Sequence, residues 1–165
     1  MNDARCSRCR RLRVANRTQP DAVAIAVLRG AADATTVLLL RRRRGVFRGA
    51  WTLVMGTVEQ GETGVQAAKR ELREETALTL TALYTAGEVD AFYDPAADKI
   101  VHVPFFVARV ADGNVVLEEL VHGEHRWVGI AKAREMVEFP AQARILESIR
   151  EAFVLNEPAA WRLIR

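Results

Sequence analysis

Short apolar runs separated by polar turn sequences make up most of the chain, and they predict a sheet of short strands. The runs are rich in aliphatic, β-branched or aromatic residues, and the sequences between them carry glycine, proline and aspartate, which favour turns. The strand candidates are residues 21–28, 35–41, 50–54, 83–93, 99–110, 114–117 and 125–130.

Two segments near the end of the chain show helical spacing, residues 131–139 and 141–155. In the second segment Ile145, Ile149 and Phe153 recur every four residues and therefore share one face. We expect that face to pack against the sheet.

A further helix, from about Gly64 to Thr76, is predicted by its start signal and its apolar spacing. Thr63 and Gln66 fit the capping-box pattern, in which the two side chains satisfy free amide groups at the start of a helix. A narrow apolar stripe that can face a sheet runs along this helix and consists of Val65, Ala68 and Leu72.

The positive charge of the chain is concentrated at its start. The formal net charge is +3, but residues 1–20 hold six arginines against one aspartate and carry +5, which leaves −2 for the rest of the chain. This segment also lacks apolar periodicity. We therefore predict a basic, mobile extension over residues 1–20 and one domain over residues 21–165, a length that suits a single hydrophobic core.

The cysteine pattern leaves two interpretations open. Cys6 and Cys9 are either half of a zinc site or two ordinary reduced thiols. A zinc site would need two more ligands, for example from His102, His122 and His125. No apolar run approaches the roughly 20 residues of a membrane span, and no apolar signal segment stands at the start. We expect a cytoplasmic protein with no membrane partner.

Three glutamates on the predicted helix lie close together. Glu71, Glu74 and Glu75 are spaced i, i+3 and i+4, so their side chains project to one common face, where like charges repel. Arg70 and Arg73 can neutralise part of the cluster, which would make it a solvated face laced with salt bridges. Converging carboxylates beside a glycine-containing loop are also what a hard divalent cation requires.

The segment around these glutamates resembles the box of the Nudix hydrolases, G-x5-E-x7-R-E-U-x-E-E-x-G-U, in which U is a bulky aliphatic residue. The matching positions are Gly56, Glu62, Arg70, Glu71, Leu72, Glu74, Glu75 and Leu78. Ala77 departs from the pattern, because the family has glycine there to end the helix in a left-handed conformation. Alanine adopts that conformation at a cost of about 1 kcal/mol.

This resemblance covers most of residues 21–155 and implies an α/β/α sandwich with a mixed sheet. It also implies hydrolysis of a diphosphate linkage with Mg²⁺, for which Mn²⁺ can substitute. Outside the box the chain is loosely similar to the branch that hydrolyses deoxyadenosine triphosphate and dihydroneopterin triphosphate, which implies a nucleotide or pterin triphosphate as substrate and pyrophosphate as product. Alternative substrates are diadenosine polyphosphates, oxidised nucleotides and nucleotide sugars. An alternative function is non-catalytic binding of a nucleotide or RNA. The chain could also form a homodimer.

The resemblance also implies roles for individual residues. Glu74 and Glu75 would hold metal, Glu71 would bind metal or activate water, and Arg70 would orient Glu71. The carbonyl group of Met55 stands where the family often contributes a backbone ligand. Glu62, the remaining box acid, would hold the loop.

A further acid in the family often lies several residues before a tryptophan, which here is Trp127. Val121 occupies the position six residues before it, so Glu119 and Glu124 are equal candidates for an assisting catalytic role. Both, together with Glu118, can equally be surface acids.

Candidate substrate-binding residues follow the second strand candidate. In the run RRRRGVFR, arginines have the forked donors that suit phosphate, and alternation along a strand leaves about two of them facing any one site. A nucleic-acid surface is the competing explanation, but the interleaved aromatic residues of such a surface are missing. The predicted substrate-binding residues, which include two aromatic residues able to stack on a ring, are Arg42, Arg44, Arg48, Trp51 and Tyr93.

Overall fold

A computed structural model describes residues 18–45, 47–118 and 120–165 of the chain. Cys6, Cys9 and most of the predicted basic extension lie outside these ranges, and so does Glu119. The mobile extension, the zinc half-site and the assisting role of Glu119 therefore stay predictions.

The described residues form one mixed sheet with helices on both faces. The strands are β1 Ala22–Arg29, β2 Thr36–Arg42, β3 Trp51–Thr52, β4 Val54–Thr57, β5 Leu80–Asp94, β6 Lys99–Val110, β7 His122–Gly129 and β8 Leu163–Ile164. The helices are α1 Gly64–Thr76, α2 Ile130–Met136 and α3 Pro140–Arg150, which continues into a π-helical turn, Glu151–Leu155. Short 3₁₀ turns lie at Ala32–Ala34 and Ala160–Arg162.

The sheet is built around β1. The strand order is β3-β2-β1-β6-β5-β8, with β4 also paired to β1 and β7 also paired to β2. The β1–β6 pair is parallel and the other pairs are antiparallel, which confirms the predicted mixed sheet.

Alternation along β1 divides the core into two layers, because successive side chains of a strand point to opposite faces. Val23, Ile25 and Val27 pack in the cluster that contains the apolar stripe of α1. Ala24, Ala26 and Leu28 pack in the cluster that contains α2 and α3. All six are fully buried, as expected for a strand covered on both faces. The α/β/α sandwich is thus confirmed.

Two strand predictions need correction. Residues 114–117 form no strand, because the amide of Val116 donates to the carbonyl oxygen of Thr76 at the end of α1, at 3.0 Å. Residues 50–54 are divided between β3 and β4. The amide of Leu53 between them donates to the side-chain Oε1 of Gln142, at 2.9 Å, instead of to a neighbouring strand.

The last predicted helix is shorter than expected, since its regular part ends at Arg150. The residues that were expected to share a face, Ile145, Ile149 and Phe153, are nevertheless all buried on the sheet. Within the described ranges no helix has both the length and the apolar character to cross a membrane.

The end of α1 is strained at Ala77. This residue adopts the left-handed conformation, with φ 55° and ψ 13°, and its amide donates to the carbonyl oxygen of Arg73. We expect Ala77→Gly to raise the free energy of unfolding by about 1 kcal/mol, because glycine enters this conformation without a Cβ clash. Urea unfolding would measure the change. Ala91→Gly, at an exposed β5 position with ordinary φ, should instead be destabilising, and equal effects at both sites would contradict this explanation.

Asp21 ties the start of β1 to β6. Its carboxylate accepts hydrogen bonds from Nζ of Lys99 at 2.7 Å and from the amide of His102 at 2.9 Å. The bond from Lys99, and after it the bond from His102, hold the pKa of Asp21 below its ordinary value. The ionised carboxylate therefore stabilises the folded state above the ordinary carboxyl pKa, and this stabilisation is lost as pH falls through the lower pKa of the folded state.

We expect Asp21→Asn to lower the free energy of unfolding by about 0.5–1 kcal/mol at neutral pH. The difference from wild type should shrink as pH falls through the acid range in which Asp21 becomes protonated. Urea unfolding over a pH series checks this, and a difference that does not change with pH would count against the ionic interaction.

Candidate active site

The start of α1 is fixed by the predicted capping box. The amide of Gln66 donates to Oγ1 of Thr63 at 3.3 Å, and the amide of Thr63 donates to Oε1 of Gln66 at 2.8 Å. The helix runs from Gly64 to Thr76, as its sequence predicts. The preceding loop and the glutamates of α1 are thereby held next to each other.

Arg70 is the centre of the hydrogen-bond network between α1 and that loop. Nε and Nη2 donate to the two carboxylate oxygens of Glu62, at 3.0 and 2.9 Å, and Nη2 also donates to the carbonyl oxygen of Thr57 at 2.9 Å. Nη1 donates to Glu71 at 2.8 Å and to Glu74 at 3.1 Å. All five guanidinium N–H groups thus have acceptors.

The electrostatic environment distinguishes the carboxylates that Arg70 contacts. The hydrogen bond from Arg70 holds the pKa of Glu62 below its ordinary value. Burial raises the pKa of Glu71, since the bond from Arg70 opposes this only in part and the charges of Glu75 and Glu74 add to it. A carboxylate with a raised pKa is better suited to accept a proton near neutral pH.

Gly56 makes room for the Glu71 side chain. A Cβ atom at this position would lie 1.8 Å from Cδ and 1.9 Å from Oε1 of Glu71, so no other residue fits without displacing that carboxylate. The loop before α1 therefore needs glycine here because of this close approach.

The three glutamates of α1 differ in burial, so they do not form the solvated face that one interpretation of the sequence offered. The exposed fractions of the side chains are 46% for Glu74, 13% for Glu71 and 6% for Glu75. Oε1 of Glu75 lies 2.9 Å from Nε2 of His122 on β7, within hydrogen-bond distance. The sequence had suggested His122 only as a candidate zinc ligand, so its contact with α1 was missed.

The donor set of this site fits a hard divalent cation. The side chains that could bind such a cation are the carboxylates of Glu71, Glu74 and Glu75. Among the described residues, Oε2 of Glu75 is buried without a hydrogen-bond partner. Across those residues no three His, Cys, Asp or Glu side chains form a compact metal cluster. Mg²⁺ is commonly bound through one or two carboxylates, with waters and substrate phosphates completing its shell. Met55, whose carbonyl group is a predicted ligand, lies on β4 next to Gly56.

Glu124 is not linked to this network by any hydrogen bond in the described part of the chain. Its carboxylate pairs with Arg126 at 2.7 Å and with Arg41 at 3.3 Å. The hydrogen bond from Arg126, with a further one from Arg41, lowers the pKa of Glu124. These contacts suit an acid that fixes arginines better than a base.

The end of β2 and the start of β7 border an open, basic pocket of about 260 Å³. Arg42 and Arg48 line it as the sequence suggests, together with Arg41 and Arg43, and Nε of Arg42 is buried without a partner within the described residues. Arg44 is exposed and does not line this pocket.

The predicted stacking residues lie in different places. Trp51 on β3 is half-buried, with the guanidinium carbon of Arg126 5.0 Å and that of Arg41 6.0 Å from its ring centre. Tyr93 lies in the β5–β6 hairpin, where it is exposed and its hydroxyl donates to Asp98 at 2.7 Å. Trp51 therefore lies beside Arg41 of β2 and Arg126 of β7, whereas Tyr93 belongs to a separate surface.

Comparison with known proteins decides the family. The sequence profile of the NUDIX domain matches residues 18–149. The chain is a member of the Nudix hydrolase family. Nudix hydrolases generally use a divalent metal ion such as Mg²⁺, which agrees with the carboxylate site on α1.

Several relatives align over most of this Nudix chain. Dihydroneopterin triphosphate diphosphatase of Escherichia coli is 29% identical, over 81% of this chain and 93% of that protein. The asymmetrical bis(5'-nucleosyl)-tetraphosphatase of Mus musculus is 30% identical, over 74% of this chain and 82% of that protein. A crystal structure of an Ap4A hydrolase of Caenorhabditis elegans in a binary complex has a TM-score of 0.66 at 23% identity, over 79% of this chain and 94% of that one.

Other relatives are longer proteins. A protein of Mycobacterium tuberculosis named mutator protein MutT4 is 30% identical over 83% of this chain. The chain spans 56% of its length, and 33% and 20% of the lengths of two further curated relatives.

The close approach of Gly56 and Glu71 in the Nudix box gives a testable prediction. Gly56→Ala should displace the Glu71 carboxylate and lower turnover at least tenfold, while the flexible side chain limits the loss of folding stability to about 1 kcal/mol. Turnover and urea unfolding would be measured in parallel. Gly129→Ala, where a new Cβ has no neighbour within 4 Å, is the matched control and should stay active. If Gly56→Ala keeps full turnover, the position of Glu71 is not critical.

Proposed function

We propose that this Nudix hydrolase cleaves a phosphate anhydride of a purine- or pterin-bearing triphosphate in a Mg²⁺-dependent reaction, releasing pyrophosphate and a monophosphate. The observation that carries the proposal is the carboxylate cluster of α1, held in place by Arg70 and by the space at Gly56. All box carboxylates are present, which favours an enzyme over a non-catalytic binding protein of the same fold.

Glu74, Glu75 and the carbonyl group of Met55 are the proposed metal ligands, and Glu71 is a further candidate ligand. A bound Mg²⁺ ion would neutralise phosphate oxygens and make a bound water more acidic. Glu71 has two alternative roles, as ligand or as base. In the site without a bound cation, burial raises the pKa of Glu71, and a partly desolvated carboxylate binds a proton more readily, which favours the second role.

In the proposed reaction Glu71 takes a proton from a water molecule, whose oxygen attacks one phosphorus atom of the substrate. The new P–O bond replaces the bridging P–O bond, and the electron pair of that bond leaves with pyrophosphate. Arg70 holds the Glu71 carboxylate at 2.8 Å and so acts as a positioning residue. Glu62 and the carbonyl oxygen of Thr57 hold Arg70 in turn.

The substrate assignment is supported by the basic pocket and by the relatives. Arg42 and Arg48 line that pocket, and forked guanidinium donors suit phosphate oxygens. Trp51, which lies beside Arg41 of that pocket, is the proposed stacking surface for a purine or pterin ring. The similarity to dihydroneopterin triphosphate diphosphatase over 93% of that protein points to the same substrate class.

A dinucleoside tetraphosphate is the alternative substrate, favoured by the similarity to the mouse tetraphosphatase. The basic pocket would then contact the longer phosphate chain. For either substrate we propose Mg²⁺ as the cofactor, a cytoplasmic location and no nucleic-acid partner. A homodimeric state also stays a proposal. The same holds for substrate binding by Arg44 and Tyr93 and for an assisting catalytic role of Glu119 or Glu124.

The decisive measurement is kcat/KM for a panel of substrates with and without Mg²⁺. The panel contains deoxyadenosine triphosphate, dihydroneopterin triphosphate, an oxidised purine triphosphate, diadenosine tetraphosphate and a nucleotide sugar. We expect Mg²⁺-dependent release of pyrophosphate from a triphosphate. A hundredfold preference for the nucleotide sugar would contradict the substrate class and leave the metal chemistry intact.

Glu75→Gln tests the metal site itself. The amide oxygen can still accept the hydrogen bond from His122, so the fold should be kept, while the loss of one charge should leave less than about a tenth of wild-type turnover at saturating Mg²⁺. Glu157→Gln makes the same change at an exposed position and should have no effect. A Glu75→Gln variant with more than a tenth of wild-type turnover would exclude Glu75 as a required ligand.

A further inference from the structure

The contact between His122 and Glu75 joins β7 to α1 in the interior of the protein. The two residues are 47 positions apart in sequence, and the exposed fractions of their side chains are 2% and 6%. Nε2 of His122 and Oε1 of Glu75 are 2.9 Å apart, and because a carboxylate oxygen accepts, this hydrogen bond requires the imidazole tautomer with hydrogen on Nε2. The histidine thus occupies one of the two carboxylate oxygens.

A β-bulge turns His122 toward α1. Along β2 and β7, Arg41 pairs with Glu124, but the next pair is Arg42 with His122, so Gly123 is an extra residue in β7. Regular pairing would place Gly123 opposite Arg42 and would turn His122 to the other face of the sheet, because strand side chains alternate. The bulge instead places His122 on the face that α1 covers.

The second oxygen of Glu75 has no hydrogen-bond partner among the described residues. A buried carboxylate is costly unless it is paired or coordinates a metal ion. One oxygen of Glu75 is held by His122, and Oε2 remains for a cation. His122 also lines an open pocket of about 470 Å³ between β7 and residues 115–117.

We propose that His122 is a positioning residue for the metal site: it holds Oε1 of Glu75 so that Glu75 offers only Oε2 to a divalent cation. This inference rests on the proposed function, since it assigns a role to the same site. A histidine that fixes a ligating carboxylate restricts its orientation, and loss of such an outer partner typically weakens metal binding 10- to 100-fold.

The test measures the dissociation constant of Mn²⁺, added alone, from the electron paramagnetic resonance signal of the free ion. His122→Asn is too short to reach Glu75, whereas His122→Gln can place an amide N–H close to the position of Nε2. We expect the dissociation constant to rise 10- to 100-fold in His122→Asn and to stay within about threefold of wild type in His122→Gln. The control is His102→Gln, the same change at a histidine on β6 that lies next to Asp21. This variant should bind Mn²⁺ like wild type.

A purely structural role of His122 predicts a different result. Such a role would lower Tm in the absence of metal and leave the Mn²⁺ dissociation constant unchanged. In a Glu75→Gln background, His122→Asn should cause no further weakening of metal binding, because the oxygen that His122 orients no longer belongs to a carboxylate. A folded His122→Asn variant that binds Mn²⁺ like wild type would overturn the proposal.

A measurement on the wild-type chain covers the case in which His122→Asn does not fold. Imidazole ¹⁵N NMR during titration with Mg²⁺ should show that Nε2 of His122 keeps its proton throughout. Loss of that proton on metal binding would show that His122 coordinates the cation itself, which would overturn the positioning role. If wild type binds no Mn²⁺ at all, the proposed function fails, whereas normal wild-type binding that is insensitive to His122 contradicts this inference alone.

Discussion

The guanidinium group of Arg70 fixes the site on which the rest of the molecule's chemistry depends. Like charges at helical spacing on α1 repel by about 0.2–0.5 kcal/mol per pair, and more where burial removes solvent. Arg70 offsets this with hydrogen bonds to Glu71 and Glu74, and its remaining donors reach Glu62 and the Thr57 carbonyl oxygen in the preceding loop. One side chain therefore neutralises the cluster and joins the loop to the helix.

The sheet provides the second half of the site. Val23, Ile25 and Val27 of β1 hold α1 against the sheet, and β7 brings His122 to the same face. The three glutamates of the box therefore differ in burial. Glu74 is exposed, Glu71 is partly buried against Gly56, and Glu75 is buried. The spacing along α1 does not distinguish the three carboxylates, but their burial and their hydrogen-bond partners give each of them different chemical properties.

Local signals made α1 and its box predictable from sequence. The capping residues Thr63 and Gln66, the apolar stripe and the box spacing all act within a few residues of one another. The burial of Glu75 was not predictable in this way, because it depends on His122, on a strand far along the chain, and on a one-residue irregularity in the pairing. Residues 114–117 were mistaken for a strand because their apolar composition does not reveal that the amide of Val116 bonds to Thr76.

The extra residue Gly123 restricts how the length of the chain can vary in this part of the molecule. A substitution at Gly123 changes one side chain, but removal of this extra residue would turn His122, the first residue of β7, to the other face of the sheet. Related chains that conserve this arrangement should therefore vary freely in the length of the loop before β7, while the number of residues from His122 to Trp127 stays constant.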